Sequence, residues 1–200
     1  MTTHPQAETL RYALLPRTGL LTDALLVVGG AGLVAACAQI SIPLGFTPVP
    51  ITGQTFAVLL VGASLGSIRG TASLLLYLLV GLAGAPVYSE HKHGWAIVNG
   101  SSGGYLVGFI VAATVIGLLS ERGWDRRFSS AVAVMLTGNV FVYAFGLPWL
   151  HHVLHVNWST TLTYGLYPFV VGDLVKLYLA AAVLPGAWKL VGAAKRRTDR

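Results

Sequence analysis

The stretch LYPFVVGDLVKLYLAAAVL, Leu166 to Leu184, decides the class of protein. It is apolar over about the 20 residues that a membrane-crossing helix needs, and its two charged residues are Asp173 and Lys176. Each charge costs about 2.5–3.5 kcal/mol at the centre of a membrane helix, so such residues normally face the protein interior and mark a functional site. Their i, i+3 spacing places both on one helix face, where they can neutralise each other. A structural ion pair and a ligand site are both possible, and we favour the ligand site.

The composition of the whole chain agrees with a membrane protein. Only 10% of its 200 residues are charged, whereas 54% are hydrophobic, and a soluble domain carries about 25% charged residues. A chain with so few charges cannot cover a water-facing surface, so its outer faces must contact lipid. The formal net charge of +6 does not indicate nucleic-acid binding, because the basic residues form short clusters between apolar segments, as in proteins that they orient in a membrane.

Six apolar segments predict an all-α integral membrane protein, a six-helix bundle in one domain over residues 1–200. The second and third segments are short for a full span, so an alternative treats them as one re-entrant hairpin with Arg69 at its tip. Residues 1–19 would precede the bundle, residues 20–190 would form it, and residues 191–200 would be a basic tail. The predicted segments are Leu21–Ile40, Thr52–Leu65, Gly70–Ala83, Gly104–Leu119, Ser129–Leu147 and Leu162–Leu190, the last broken or tilted.

The distribution of lysine and arginine predicts the orientation. With six spans, eleven of the thirteen basic residues fall on one side, and only Lys92 falls in the opposite loops. Because basic residues concentrate in cytoplasmic loops, we expect both termini in the cytoplasm. The eleven are Arg11, Arg17, Arg69, Arg122, Arg126, Arg127, Lys189, Lys195, Arg196, Arg197 and Arg200.

Two loops on the opposite side carry polar groups suited to a ligand. The first, Pro43 to Thr55, has three prolines and no charge, so it is stiff and fits either a lid over a neutral polar ligand or a tight interfacial turn. The second, Pro86 to Tyr105, combines aromatic residues with Asn99 and a glycine–serine stretch. That stretch is not a phosphate loop, because no Gly-Lys-Ser/Thr follows it.

Five histidines in the outer loops raise the question of a metal site. They are His91 and His93 in the second loop, and His151, His152 and His155 in a third loop, Pro148 to Tyr164. No carboxylate or cysteine cluster accompanies them, and the single cysteine, Cys37, lies in an apolar run. We therefore predict no metal and no cofactor.

The chain lacks a visible energy source for transport. It has no GxxxxGK[ST] motif and no chain of buried acids for a proton relay, so a partner that hydrolyses ATP would have to drive uptake. Small-xxx-small spacings in the first helix, Ala31 with Ala35 and Gly32 with Ala36, admit close approach of either a partner helix or another helix of this chain.

Four stretches together resemble the BioY family, the biotin-specific substrate-binding S components of energy-coupling factor (ECF) transporters. They are AQISIPLGFTPVPITGQTFAVLLVGASLGSIRG (Ala38 to Gly70), LLYLLVGLAGAPVY (Leu75 to Tyr88), SSGGYLVGF (Ser101 to Phe109) and VGDLVK (Val171 to Lys176).

This resemblance implies a six-helix S-component bundle in the cell membrane of a prokaryote, and a non-enzymatic subunit that binds biotin near the outer surface. The implied partners are a transmembrane coupling subunit, which would meet Ala31, Gly32, Ala35 and Ala36, and two ABC-type ATPases. Asp173 and Lys176 match the family's sixth-helix motif, and the chemistry of biotin, with its ureido N–H groups, adds amide and aromatic candidates. The expected biotin-binding residues are Asp173, Lys176, Asn99, Gln54, Tyr88, Trp95, Tyr77 and Phe46.

Three other functions stay open at this point. The chain could be an S component for another vitamin, with the same fold and different loops. It could be an intramembrane metal-dependent enzyme that uses the loop histidines. It could also be an assembly subunit in which Asp173 and Lys176 are a packing device.

Overall fold

The computed structural model describes residues 9–11 and 19–198. In chain order its elements are α1 (Leu20–Ala38), β1 (Ser41–Ile42), β2 (Ile51–Thr52), α2 (Gln54–Leu82), a 3-10 turn (Ser89–His91), α3 (Trp95–Val98), α4 (Gly103–Ser120), α5 (Phe128–Leu154), α6 (Trp158–Gly165) and α7 (Val170–Thr198). The fold is all-α apart from the two short strands. The most extensive packing joins α2 with α4 and α4 with α5.

Helix α2 is a tight helical hairpin. Its backbone is not helical at Gly66, where φ is 83° and ψ is 179°. The side chains of Gln54 and Tyr77 share a hydrogen bond of 2.6 Å, although a straight helix would separate these residues by about 35 Å. Glycine is required at the tip because φ is positive and an added Cβ would lie 2.7 Å from Glu121 Oε1.

The two arms of this hairpin, residues 54–65 and 67–82, correspond to the short second and third predicted segments. Their contact is close, since a Cβ at Gly70 would lie 3.1 Å from Gly62 Cα. Small residues allow such backbone approach in membrane bundles. The structure thus explains why each segment is short: the arms are joined without a loop.

The hairpin defines two ends of the bundle. The tip end carries Gly66 and the α4–α5 connection, residues 121–127, and Ser67 there donates its backbone N–H and its hydroxyl to Glu121 Oε1 at 2.7 and 2.9 Å. The opposite end, the cavity end, carries the start of α2 and the start of α7. Within residues 19–198 the bundle contains four long helices and the two hairpin arms.

Five helices among the described residues are long and apolar enough to cross a membrane: α1, α2, α4, α5 and α7 up to Val191. Large apolar side chains on their outer faces are exposed, including Leu25 at 64% and Val171 at 74%, as expected for faces in contact with lipid. These helices make the chain an integral membrane protein. The number of bilayer crossings and the side of each terminus stay predictions.

Two helices of the C-terminal half extend beyond the predicted segments. Helix α5 continues through Pro148 to Leu154, so the predicted third loop is mostly helical, and α6 occupies its second half. The predicted sixth segment is broken, as expected, between α6 and α7, where Pro168 lies. Helix α7 extends to Thr198, so most of the predicted basic tail continues this helix.

Parts of some predictions lie outside the described residues. These are the positions 1–8, 12–18 and 199–200, which include Arg17 and Arg200. The proposed roles of residues 1–19 and 191–200 therefore stay predictions.

Candidate functional site

A cavity opens at the cavity end, between the β-hairpin, the second outer loop and the starts of α2, α4 and α7. Its empty space amounts to about 600 Å³ when the part that is open to solvent is included. Most of its walls are aliphatic or aromatic, and a few polar groups project into it, as is usual for such sites. The lining residues are Val49, Pro50, Thr52, Gln54, Thr55, Tyr88, Ser89, Ile97, Ser102, Tyr105, Leu106, Phe109, Val142, Tyr143, Phe169, Asp173 and Lys176.

Asp173 and Lys176 form an ion pair at the wall of this cavity. Lys176 Nζ lies 2.8 Å from Asp173 Oδ1, and the two side chains are 17% and 8% exposed. Asp173 is in the first turn of α7, where the helix dipole favours a negative charge. Pairing explains how the apolar helix tolerates both charges, and the adjoining cavity gives them access to a ligand.

All three N–H donors of the Lys176 ammonium have protein acceptors. They are Asp173 Oδ1 at 2.8 Å, the Thr52 carbonyl oxygen at 2.8 Å and Thr55 Oγ1 at 3.0 Å. An ammonium group has three donors and no acceptor. Lys176 therefore joins α7 to the end of the first outer loop and has no donor to spare without losing one of these bonds.

The Asp173 carboxylate keeps some capacity to accept. Its Oδ1 accepts from Lys176 and from Thr55 Oγ1 at 3.3 Å, and its Oδ2 accepts from the Tyr143 hydroxyl. A carboxylate offers about four lone-pair sites, so one on Oδ2 is left for an N–H or O–H group in the cavity.

Gln54 and two tyrosines form a second polar group beside the cavity. Gln54 donates to the Tyr77 hydroxyl at 2.6 Å and accepts from Thr52 Oγ1 at 3.0 Å. The rings of Tyr77 and Tyr88 meet edge to face at 5.5 Å, and the Tyr88 hydroxyl donates to the Leu78 carbonyl at 2.7 Å. Burial raises the pKa of Tyr88 to about 12, so this side chain is a neutral wall of the cavity.

The predicted binding residues divide into those at the cavity and those outside its lining. Asp173, Lys176, Gln54 and Tyr88 line it, and Tyr77 lies behind Gln54. The other three predicted residues are exposed on the surrounding loops: Trp95 at 65%, Phe46 at 56%, and Asn99.

Sequence reasoning missed Tyr143, Tyr105, Phe109 and Phe169, all of which line the cavity. Tyr143 and Tyr105 meet edge to face at 6.4 Å, and the Tyr105 hydroxyl donates to the Gly165 carbonyl at 2.9 Å. A tyrosine hydroxyl within an apolar segment needs a partner when buried. This need for a partner could have singled out Tyr143 in the sequence. Which residue is its partner depends on how α5 packs on α7.

The first outer loop is held over the bundle by side-chain hydrogen bonds. Thr47 Oγ1 donates to the Tyr164 carbonyl at 2.8 Å, and Ser101 Oγ donates to the Pro48 carbonyl at 3.4 Å. Val49 of this loop is buried at 7% exposure. The loop therefore packs on the cavity, in agreement with a lid.

The small residues of α1 face two directions. Ala31 is buried at 8% exposure, and Ala35 packs against the hydrophobic core. Gly32 and Ala36 are exposed, and a Cβ at Gly32 would meet nothing within 4 Å. Of the two small-xxx-small pairs, Gly32 with Ala36 is therefore the one available to a partner helix.

The structure gives no metal-ligand cluster at the loop histidines that it describes. No group of three or more potential ligands occurs among the described residues. His151 stacks on Trp158 at 4.4 Å, and its Nδ1 lies 3.3 Å from Thr161 Oγ1. This histidine therefore has an ordinary packing role at the interface.

Proteins that are similar in sequence to this chain include two biotin transporters. The chain is 40% identical over 169 residues to the biotin transporter BioY of Thermotoga maritima, covering 84% of this chain and 92% of the relative. It is 39% identical over 147 residues to the biotin transporter BioY of Rhizobium etli, covering 70% and 78%.

A solved structure shares the fold. It is the crystal structure at 2.1 Å of the S-component for biotin from an ECF-type ABC transporter, which superposes with a TM-score of 0.74 at 27% identity over 84% of this chain and 92% of that one. The model of the BioY family matches residues 6–193. The chain therefore belongs to the BioY family.

Proposed function

We propose that this protein binds biotin in the cavity beside Asp173 and Lys176 and mediates its uptake as the substrate-specific S component of an ECF transporter. The observation that carries the proposal is a largely apolar cavity with a paired carboxylate in its wall, in a chain of the BioY family. As a member of this family the chain is a transporter subunit and not an enzyme.

The chemistry of the cavity fits the ring system of biotin. Biotin has a ureido ring with two N–H donors and one carbonyl, a thioether ring and a carboxylate tail. Asp173 Oδ2 can accept from a ureido N–H, because that oxygen has a free acceptor site, and Phe109, Phe169 and Tyr88 can cover the rings.

The ion pair also favours binding of the ureido end of biotin next to Asp173. Asp173 and Lys176 neutralise each other, and the three donors of Lys176 are engaged within the protein. A carboxylate tail would have to compete with these bonds, whereas a neutral ureido group needs only an acceptor. We therefore place the ureido group, and not the carboxylate, against Asp173.

The other predicted binding residues differ in whether they line the cavity. Gln54 and Tyr88 line the cavity, and Tyr77 supports them. Contact of Asn99, Trp95 and Phe46 with biotin stays a prediction, since all three are exposed on the loops that surround the cavity.

The sequence has no nucleotide-binding motif, so we propose that partner subunits supply the energy for transport. We infer a transmembrane coupling subunit and two ABC-type ATPases, in the plasma membrane of a prokaryote, with both termini cytoplasmic. On α1 the outward-facing Gly32 and Ala36 are the proposed contact with the coupling subunit. Biotin-stimulated ATP hydrolysis by the reconstituted complex, and its loss with Gly32→Leu, would test this part; unchanged assembly and activity with Gly32→Leu would contradict the contact.

Binding of radiolabelled biotin to the purified protein in detergent tests the ligand. Riboflavin and thiamine serve as controls, because another vitamin is the strongest competing ligand class. We expect saturable binding of biotin alone. Binding of a control vitamin in preference to biotin by folded protein would overturn the proposed ligand and leave the fold unaffected.

A further inference from the structure

Tyr143 lies outside the sequence motif that carries the ion pair, yet its hydroxyl is a direct partner of Asp173. It projects from α5 and lines the cavity. Its hydroxyl donates to Asp173 Oδ2, whereas Oδ1 accepts from Lys176 and Thr55. The two oxygens of one carboxylate are thus held from opposite sides by residues of α2, α5 and α7.

The position of the Tyr143 ring is fixed by its surroundings. Tyr105 packs edge to face against it, with an interplanar angle of 84°, and the Tyr105 hydroxyl is itself bonded to Gly165. Edge-to-face contact is a preferred arrangement of two aromatic rings and favours this orientation. The Tyr143 hydroxyl is therefore a donor of defined direction.

Such a donor controls how the carboxylate presents its free acceptor site. The terminal torsion of an aspartate is broad, so the bond to Lys176 alone leaves Oδ2 free to turn. A hydrogen bond from a fixed hydroxyl settles that torsion, and the remaining lone pair of Oδ2 then points in one direction.

We propose that Tyr143 is a positioning residue for the ligand-binding carboxylate: it directs Asp173 Oδ2 at an N–H donor of the bound ligand. The inference rests on the proposed function, because it assigns Asp173 to the ureido N–H. It adds a residue of α5 to the predicted binding residues, none of which lies on that helix.

Tyr143→Phe tests the proposal, since it removes one oxygen and keeps the ring. We expect biotin affinity to fall about tenfold, the loss associated with one hydrogen bond to a charged group. Tyr178→Phe is the matched control: Tyr178 is on α7, 51% exposed, and its ring stacks on Phe128 away from the cavity. Affinity should be unchanged in the control.

A double-mutant cycle with Asp173→Asn separates positioning from a general packing effect. If Tyr143 acts through Asp173, adding Tyr143→Phe to Asp173→Asn should weaken binding by less than about twofold. The reason is that the effect of Tyr143 on binding has already been lost with the Asp173 carboxylate. A full tenfold loss in both backgrounds would overturn the proposal, as would wild-type affinity in folded Tyr143→Phe. Tyr143→Met provides the same reading if the Phe variant does not fold.

The outcomes also separate this inference from the proposed function. If wild-type protein binds biotin and Asp173→Asn does not, but Tyr143→Phe binds as wild type, only the positioning role is overturned. If wild-type protein binds no biotin, both are overturned.

Discussion

Both ends of the bundle hold an aspartate paired with basic residues, but Asp173 lines the cavity at its end, whereas Asp23 is not among the residues that line the apolar pocket near the tip end. At the tip end, Asp23 accepts from Arg69 at 2.8 and 2.9 Å and from Arg11 at 2.8 Å. At the cavity end, Asp173 accepts from Lys176, Thr55 and Tyr143 and also lines the cavity.

The comparison shows that pairing and binding are different properties of a charge. Two guanidinium groups surround Asp23, so its bonds fix α1 to the hairpin tip. Asp173 has one cation, which is saturated, and one oxygen with room for a further donor. A charged pair in a membrane helix is therefore evidence for a ligand site only when a cavity reaches an unused acceptor or donor of that pair.

The largest expected effect is at the cavity end. Asp173→Asn and Lys176→Ala should each weaken biotin binding at least tenfold, about 1.4 kcal/mol, because the first removes the charged acceptor and the second leaves that acceptor without its cation. Equilibrium binding of radiolabelled biotin to the purified variants measures this. Wild-type affinity in either folded variant would remove Asp173 and Lys176 from the proposed site.

At the tip end we expect the opposite result, a loss of stability without a loss of biotin affinity. Arg69→Ala removes two charged hydrogen bonds to Asp23, so we expect the Tm to fall, with biotin affinity unchanged. Thermal unfolding in detergent and biotin binding at a temperature below the transition measure the two properties. A tenfold loss of affinity with full stability would show that the two ends are not functionally distinct.

The smallest effect concerns Asp125, a buried acid in the α4–α5 connection at the tip end. Its Oδ2 accepts from Trp188 Nε1 at 2.8 Å, and its Oδ1 has no hydrogen-bond partner among the described residues. Burial raises the pKa of Asp125, outweighing the Trp188 hydrogen bond and the nearby charge of Arg126.

A folded-state pKa above the unfolded value means that the folded protein binds more protons, so this group's contribution to stability falls as pH rises from the unfolded pKa through the folded one. Asp125→Asn should remove that contribution. We expect the gain in Tm of Asp125→Asn over wild type to be greater at pH 7 than at pH 4, and smaller than the Arg69 effect. A Tm difference that is the same at both pH values would contradict a raised pKa.

The features that could be predicted from the sequence are those encoded locally. The i, i+3 spacing of Asp173 and Lys176 places them on one face of any helix, and the structure shows them paired at 2.8 Å. The short second and third segments, with Arg69 between them, indicate an abrupt turn, which the structure places at Gly66.

The features that could not be predicted depend on packing between distant segments. Tyr143 and Asp173 are thirty residues apart and meet because α5 lies against α7. Phe46 is an aromatic residue in a lid-like loop, and its exposure follows from the short β-hairpin that pairs Ser41 with Thr52 and leaves the loop tip outside. Pattern alone does not distinguish an aromatic side chain at a cavity from one at the membrane interface.

A structure of the protein with biotin bound tests the central claim most directly. We expect the ligand in the cavity, with a ureido N–H about 3 Å from Asp173 Oδ2 and the rings against Phe109 and Phe169. Biotin bound at another place, or bound in the cavity with its carboxylate on Lys176 and no contact with Asp173, would contradict the account.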